Sequence, residues 1–205
     1  MSIPYARQLI AVLLCSSVVA VSAVAAPGAD ELIAQAQERA AKITEYREVL
    51  NHPDQNVRLA ALDIMLKSED PVMREIAYNQ AFISADETMR AVALRNRLKD
   101  LSEFTFTLSL TEKPTELEKT AIVEYLQGIY GIAIDDYDVD SGKISKFNDD
   151  SRNTGQVSGT SLVLDNSMKY CRGDFTLGEG PTLVGTFTCT HSRYKGTYKA
   201  TAKLI

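Results

Sequence analysis

The stretch DQNVRLAA (residues 54–61) returns as DPVMREIA (70–77) and again as DETMRAVA (86–93), each copy starting sixteen residues after the last. Every copy reads Asp-x-x-(Val/Met)-Arg-x-x-Ala. An aspartate just ahead of an apolar-periodic stretch offers its carboxylate to the free backbone N–H groups of a helix N-terminus. Val57, Met73 and Met89 share a helical face with Ala61, Ala77 and Ala93, which follow four residues later. The small alanine lets a neighbouring helix come close. A helix of about twelve residues and a turn of about four fill one period, so two periods make a hairpin of about 32 residues.

Upstream, ADELIAQAQERAAKITEYREVL (29–50) carries Leu32, Ala36, Ala40, Ile43 and Leu50 at helical spacing. Asp30 is the expected N-cap. His52-Pro53 is the expected stop, because the residue before a proline is pushed out of the α region. Residues 29–101 therefore read as helix.

The repeated Asp-x-x-Val-Arg-x-x-Ala resembles the signature of HEAT repeats over about residues 51–100. The resemblance implies stacked antiparallel helical hairpins that serve as a scaffold for other proteins, and it implies no chemistry. Two hairpins at most are present, whereas extended arrays have more. Arg58, Arg74 and Arg90 are the weak binding candidates, as a basic ladder for an anion or an acidic partner. The plainer reading pairs each arginine with an aspartate of its own or the adjacent repeat, as the HEAT pattern implies, in exposed pairs worth about 0.2–1 kcal/mol.

Beyond Leu101 the period changes. FTFTLSLT (104–111) alternates apolar residues with Thr and Ser, the mark of a strand. TELEKTAIVEYLQGIYGIAI (115–134) fits both periods: Leu117, Ala121 and Tyr125 suit a helix, Lys119, Ala121, Val123 and Tyr125 a strand. Its β-branched and aromatic second half favours strand. VSGTSLVL, LVGTFTCT and YKGTYKAT share a Gly-Thr core, separated by LDNS, GEGPT and HSRYK, and read as successive strands of an antiparallel meander. Seven or eight short strands predict a β-sandwich or a small, partly closed barrel. The fold class is thus α+β: a helical domain over 26–101 and an antiparallel β domain over 102–205.

The first 25 residues read as a signal peptide. Arg7 precedes the apolar run LIAVLLCSSVVAVSAVAA, and Ala23-Val24-Ala25 has the small-x-small form of a cleavage site. An uncleaved anchor is the alternative; lipidation at Cys15 is disfavoured by the large Leu14 before it. Export to the periplasm or outside the cell leaves Cys171 and Cys189 in an oxidising compartment, where an even pair predicts a disulfide. Closing that loop is worth about 3 kcal/mol on the chain-entropy model.

The net charge is −5, and −6 once Arg7 leaves with the leader, which gives no electrostatic reason to expect nucleic acid or an anionic membrane. No stable membrane insertion is expected after cleavage. Only two histidines are present, His52 and His191, and neither sits in a Ser-His-Asp or metal-ligand context. Asp136, Asp138 and Asp140 in DDYDVDSGKI resemble the start of a calcium loop, but Gly142 stands seventh and Phe147 twelfth, against the glycine at six and glutamate at twelve of an EF-hand. A hairpin turning at Asp140-Ser141-Gly142-Lys143 is the simpler reading. Arg172-Gly173-Asp174 reads as strand. No catalytic residue, metal site or cofactor is predicted.

The expected function is a non-enzymatic exported binding protein, a scaffold or an inhibitor or immunity-type partner of another exported or envelope protein. The alternative is a β module for envelope glycans or lipids, with Tyr125, Tyr130, Tyr137, Tyr170, Tyr194 and Tyr198 as a stacking platform. A hydrolase is the weaker alternative.

Overall fold

The computed structural model describes residues 28–205. The leader and its cleavage site lie outside the described residues. The chain divides at Arg39 into two units. Of the first, residues 28–39 hold the opening turns of α1 (Ala29–Leu50), with Asp30 and Glu31 in the first turn. Asp30 is therefore inside the helix rather than at its cap, where it still faces the free N–H groups.

The second unit holds the end of α1, three short helices and the β half. The helices α2 (Gln55–Leu66), α3 (Pro71–Phe82) and α4 (Glu87–Asp100) realise the sixteen-residue period. Asp54, Asp70 and Asp86 are their N-caps, accepting from the N–H of Asn56 at 2.8 Å, Val72 at 2.9 Å and Thr88 at 2.9 Å. The repeat reaches two residues further back than the sequence motif. His52 Nδ1, Ser68 Oγ and Ser84 Oγ each accept from the N–H of the following aspartate at 3.1 Å. Ala77 and Ala93 are fully buried where neighbouring helices meet, and Ala61 is partly buried.

Eight strands follow: β1 (Glu103–Leu110), β2 (Ile129–Asp138), β3 (Lys143–Phe147), β4 (Asn153–Ser158), β5 (Ser161–Asn166), β6 (Cys171–Leu177), β7 (Thr182–Cys189) and β8 (Gly196–Lys203). Each pairs antiparallel with the next and β8 returns to β1, so the sheet closes into an up-and-down barrel. Closure removes the sheet edges that a sandwich would have to protect. Strict alternation fills the interior: in β6, Cys171, Gly173, Phe175 and Leu177 are buried and the residues between them exposed. Phe106 stacks on Phe175 with centroids 4.2 Å apart and meets Phe187 edge-on at 5.2 Å. The buried residues of helices and barrel form one continuous cluster.

The segment after β1 is a helix over its first half, contrary to the strand expected there. α5 (Glu116–Glu124) starts in a capping box: Thr115 Oγ1 accepts from Glu118 N at 3.2 Å, and Glu118 Oε2 accepts from Thr115 N at 2.7 Å. The other oxygen of Glu118 accepts from Thr197 N at 2.8 Å and so pins α5 to β8. Local capping outweighed the β propensity of Val123 and Tyr125, both of which point to solvent.

The three Gly-Thr cores are not one repeated strand. Gly159 (φ +56) turns the chain between β4 and β5, Gly185 lies within β7, and Gly196 opens β8. At Gly185 the need is space: a Cβ there would sit 2.0 Å from the Asp174 carbonyl oxygen. Cys171 and Cys189 are direct register partners on β6 and β7 and form the disulfide. Gly185→Ala should therefore cost about 1–3 kcal/mol in urea unfolding, as an overpacked site does. Gly131→Ala, with nothing within 4 Å of its Cβ, should change stability by less than about 0.5 kcal/mol.

Candidate functional site

Antiparallel order puts the β2–β3, β4–β5 and β6–β7 connections and the C-terminus at one end of the barrel, where β1 begins. α4 meets that end with arginines. Arg90 Nη2 donates to the carbonyls of Leu177 (3.0 Å) and Gly178, Arg95 Nη1 to that of Asp140 (3.1 Å), and Arg97 Nε to that of Leu204. Arg97 also pairs with Glu75 at 3.0 Å and lies over the Tyr78 ring at 5.0 Å. Tyr78 in turn donates to Asp100 at 2.7 Å, and burial holds its hydroxyl protonated well above the usual range.

The repeat arginines thus have three environments. Arg58 and Arg74 reach back to the turn before their own helix, to the carbonyls of His52 (2.7 Å) and Ser68 (2.6 Å). Arg58 also pairs with Asp86 at 2.6 Å, two repeats on, and both side chains are largely buried. Arg90 turns instead to the barrel, and its Nε is buried with no hydrogen bond. The three guanidiniums do not present a common face. Arg95 and Arg97 do comparable work in α4 without belonging to the repeat, and sequence reading had no signal for them.

Asp138 closes the β2–β3 turn. It accepts from Asp140 N at 2.9 Å and from the Ser141 hydroxyl at 2.7 Å, the latter being the main cause of its depressed pKa. Asp136, Asp138 and Asp140 do not converge, and among the described residues no three His, Cys, Asp or Glu side chains gather as metal ligands would. His52 and His191 both lie in connections.

The opposite end carries the β3–β4, β5–β6 and β7–β8 loops, and a concavity of about 690 Å³ opens in the barrel wall between the first two of these loops, the middle of β2 and the start of β1. It arises because β3 is half the length of β2. Ile134–Asp138 pair with β3, whereas Ile129–Ala133 pair only with β1. Asn148 and Asp149 adopt left-handed φ values of 52° and 54° and turn the chain away. Asn148 replaces the missing strand: its Oδ1 accepts from Ala133 N at 2.6 Å and its Nδ2 donates to Gly131 O at 3.1 Å. Above it the barrel wall is open. Phe104, Ile132 and Met168 give this portal apolar walls; Asn153, Asn166 and Lys169 give it polar ones.

The two asparagines are buried and hold the β5–β6 loop. Asn153 Oδ1 accepts from Met168 N at 3.3 Å, and Asn166 Oδ1 accepts from Lys169 N at 2.9 Å. That places the Lys169 ammonium 5.0 Å from the centroid of the Tyr130 ring. Tyr130 is 3% exposed, and no group hydrogen-bonds to its hydroxyl with normal geometry. Burial raises its pKa well above the usual range, and the Asn166 amide offsets this in part. Beside the portal, His191 stacks on Tyr194 at 4.5 Å and stands 5.9 Å from Tyr170. Of the six tyrosines singled out by sequence, Tyr130 and Tyr198 are inside the barrel, Tyr170 and Tyr194 stand on this rim, Tyr125 is exposed, and Tyr137 is half-buried on β2 with its hydroxyl buried and unpaired.

A second concavity, about 380 Å³, runs between the end of α1 and α2. Tyr46, Val49, Val57, Ala60, Ala61 and Ile64 line it, and Ile64 is 66% exposed. No helix among the described residues is long and apolar enough to cross a membrane. Comparison of the chain with protein-family models, with curated proteins and with solved structures finds no match.

The Arg58–Asp86 pair makes a pH-dependent contribution. Arg58 is the main cause holding the Asp86 carboxyl below the usual range. A depressed pKa stabilises fully above the unfolded value, about 4, and the gain is lost as pH falls through the folded value. Arg58→Met should cost on the order of 1–3 kcal/mol at pH 7. The gap to wild type, followed by urea unfolding, should narrow as pH falls below about 4. A gap that stays constant would mean that Arg58 acts through its carbonyl partners alone.

Proposed function

We propose that the protein is an exported binding protein that performs no chemistry on what it binds. Its short helical stack, HEAT-like in its aspartate and arginine pattern, engages another envelope protein, and its barrel is a second binding surface. The observation that carries this reading is the groove between α1 and α2. Val57, Ala60, Ala61 and Ile64 recur at helical spacing along one face of α2, and Tyr46 and Val49 face them from α1. Such a trough fits the apolar stripe of a partner helix, which inserts side chains at one-turn intervals. Contiguous exposed apolar surface on a soluble domain marks an interaction site more often than chance exposure. A periplasmic or secreted location is supported by the Cys171–Cys189 disulfide and by the leader pattern ending at Ala25.

A second reading, a β module that binds envelope glycans or lipids, is favoured by the rim of Tyr170, His191 and Tyr194 beside the portal. Exposed rings at a barrel mouth offer stacking faces to a sugar.

The two are separated by immobilising the mature, oxidised protein and its Ile64→Asp variant and offering each an envelope extract. One protein retained at stoichiometric level by the wild type and reduced at least tenfold by Ile64→Asp supports the helical docking surface. Ile64 is exposed, so the variant should keep its unfolding midpoint within about 0.5 kcal/mol. Equal retention by both proteins, or retention of glycan alone, sinks the helical reading.

A further inference from the structure

We infer that the apolar face of α2 pairs with the same face of a second copy of this chain, antiparallel, across a two-fold axis that passes between Ala60 and Ala61. The inference rests on the groove between α1 and α2 being a helix-docking surface, and it names the occupant of that groove in the isolated protein.

The first ground is the repeat. Val57, Ala61 and Ile64 stand in register with Met73, Ala77 and Gln80 of α3 and with Met89, Ala93 and Asn96 of α4. Ala77, Met89 and Ala93 are fully buried, whereas Val57 is 37% exposed and Ile64 66%. At the third of these positions α3 and α4 carry amides, which suit water, and α2 carries isoleucine. The end of a helical stack is ordinarily closed by a polar outer face. Here α2 keeps the interior character of its repeat on a face that α1 flanks with Tyr46 and Val49 without covering it.

The second ground is self-complementarity. A contact between identical copies needs a surface that matches itself: where residue i meets residue j, j must also meet i. Asp54, Val57, Ala60, Ala61, Ile64 and Lys67 run from the N-cap of α2 to its C-cap along one stripe of helical spacing. Reversed about the midpoint between the two alanines, this stripe is the same in shape and opposite in charge. Ala60 then faces Ala61 of the second copy, Val57 faces Ile64, and Asp54 faces Lys67, each contact occurring twice. The central alanines let the two backbones approach to about 8 Å, and the larger side chains close the contact at either end.

Both charges are within reach of a neighbour. Asp54 is exposed and caps its helix through Oδ1. Lys67 is exposed and meets only the equally exposed Asp63, at 2.8 Å. Any apolar stripe fills the trough; opposite charges equally far from its midpoint fit a second copy in particular.

The test is sedimentation equilibrium of the mature, oxidised protein. Wild type should show a monomer–dimer equilibrium with a dissociation constant of about 1–100 µM, as a small interface gives. Ile64→Asp should weaken it at least about tenfold, since a carboxylate would be buried against Val57 at two places. Lys67→Glu should weaken it about fivefold, because two attractions become two repulsions. Adding Asp54→Asn to Lys67→Glu should recover part of that loss, as asparagine keeps the N-cap and removes the opposed charge. All three side chains are exposed, so the fold stays out of the comparison, which the unfolding midpoint checks. A wild type that stays monomeric up to about 1 mM, or dimerisation unchanged in Ile64→Asp or in Lys67→Glu, would overturn the assignment. A double variant no tighter than Lys67→Glu would do the same. Envelope capture separates this failure from that of the groove. A monomeric wild type that retains one protein, lost in Ile64→Asp, removes the second copy alone and leaves the groove as that protein's docking surface. A monomer that retains nothing removes both.

Discussion

The contact on which the rest of the molecule depends is the row of arginines that α4 lays against one end of the barrel. Closing the sheet pairs the strands with one another, whereas some carbonyls of the connecting turns take their donors from side chains. Buried carbonyls without donors are costly. Arg90, Arg95 and Arg97 supply donors to three segments far apart in sequence, the β6–β7 turn, the β2–β3 hairpin and the C-terminal Leu204. A single helix thereby contacts two turns and the C-terminal segment at once. Charged donors suit this role, because each guanidinium offers five N–H groups in a rigid plane and can serve a carbonyl and a neighbouring carboxylate at once. Arg97 does this with Leu204 and Glu75.

With that end occupied, the irregular features collect at the other. The disulfide joins β6 and β7 at their far ends, next to the loops bearing Met168, Lys169, Tyr170 and His191. Thr190 N donates to Tyr170 O at 2.8 Å and the Tyr194 hydroxyl to Lys169 O at 3.1 Å, so the two loops are tied together just beyond the bridge. The left-handed residues Asn148, Asp149 and Tyr170 are all at this end as well. Departures from regular geometry are tolerated where neighbouring structure fixes them, and a stapled rim beside an interrupted strand provides that.

Much of the helical half was legible because its signals are local. Asp54, Asp70 and Asp86 act within two residues of themselves, so their spacing carries directly into helix starts. The disulfide was legible because, of the three cysteines, two fall in the β half, where they allow only one pairing. The Thr115–Glu118 capping box was equally local and was outweighed by a count of β-branched residues, which misjudged α5. Barrel closure was beyond reach of alternation alone, since a sandwich and a barrel alternate identically. The roles of Arg90, Arg95 and Arg97 depend on contacts 45 to 107 residues away, and no periodicity encodes them. The portal was hidden for a related reason: it is the place where Asn148 stands in for a strand.

The division between the two ends bears on what each is for. Where α4 sits, most polar groups find partners in the chain itself, and the arginine repeat that began as a candidate binding ladder is drawn into the scaffold. Unpaired groups are found at both ends among the described residues: Arg90 Nε and the Tyr137 hydroxyl are buried without a hydrogen bond toward α4, and the Tyr130 hydroxyl toward the other rim. The helices and the closed sheet supply the rigidity, and the interrupted β3 supplies the opening.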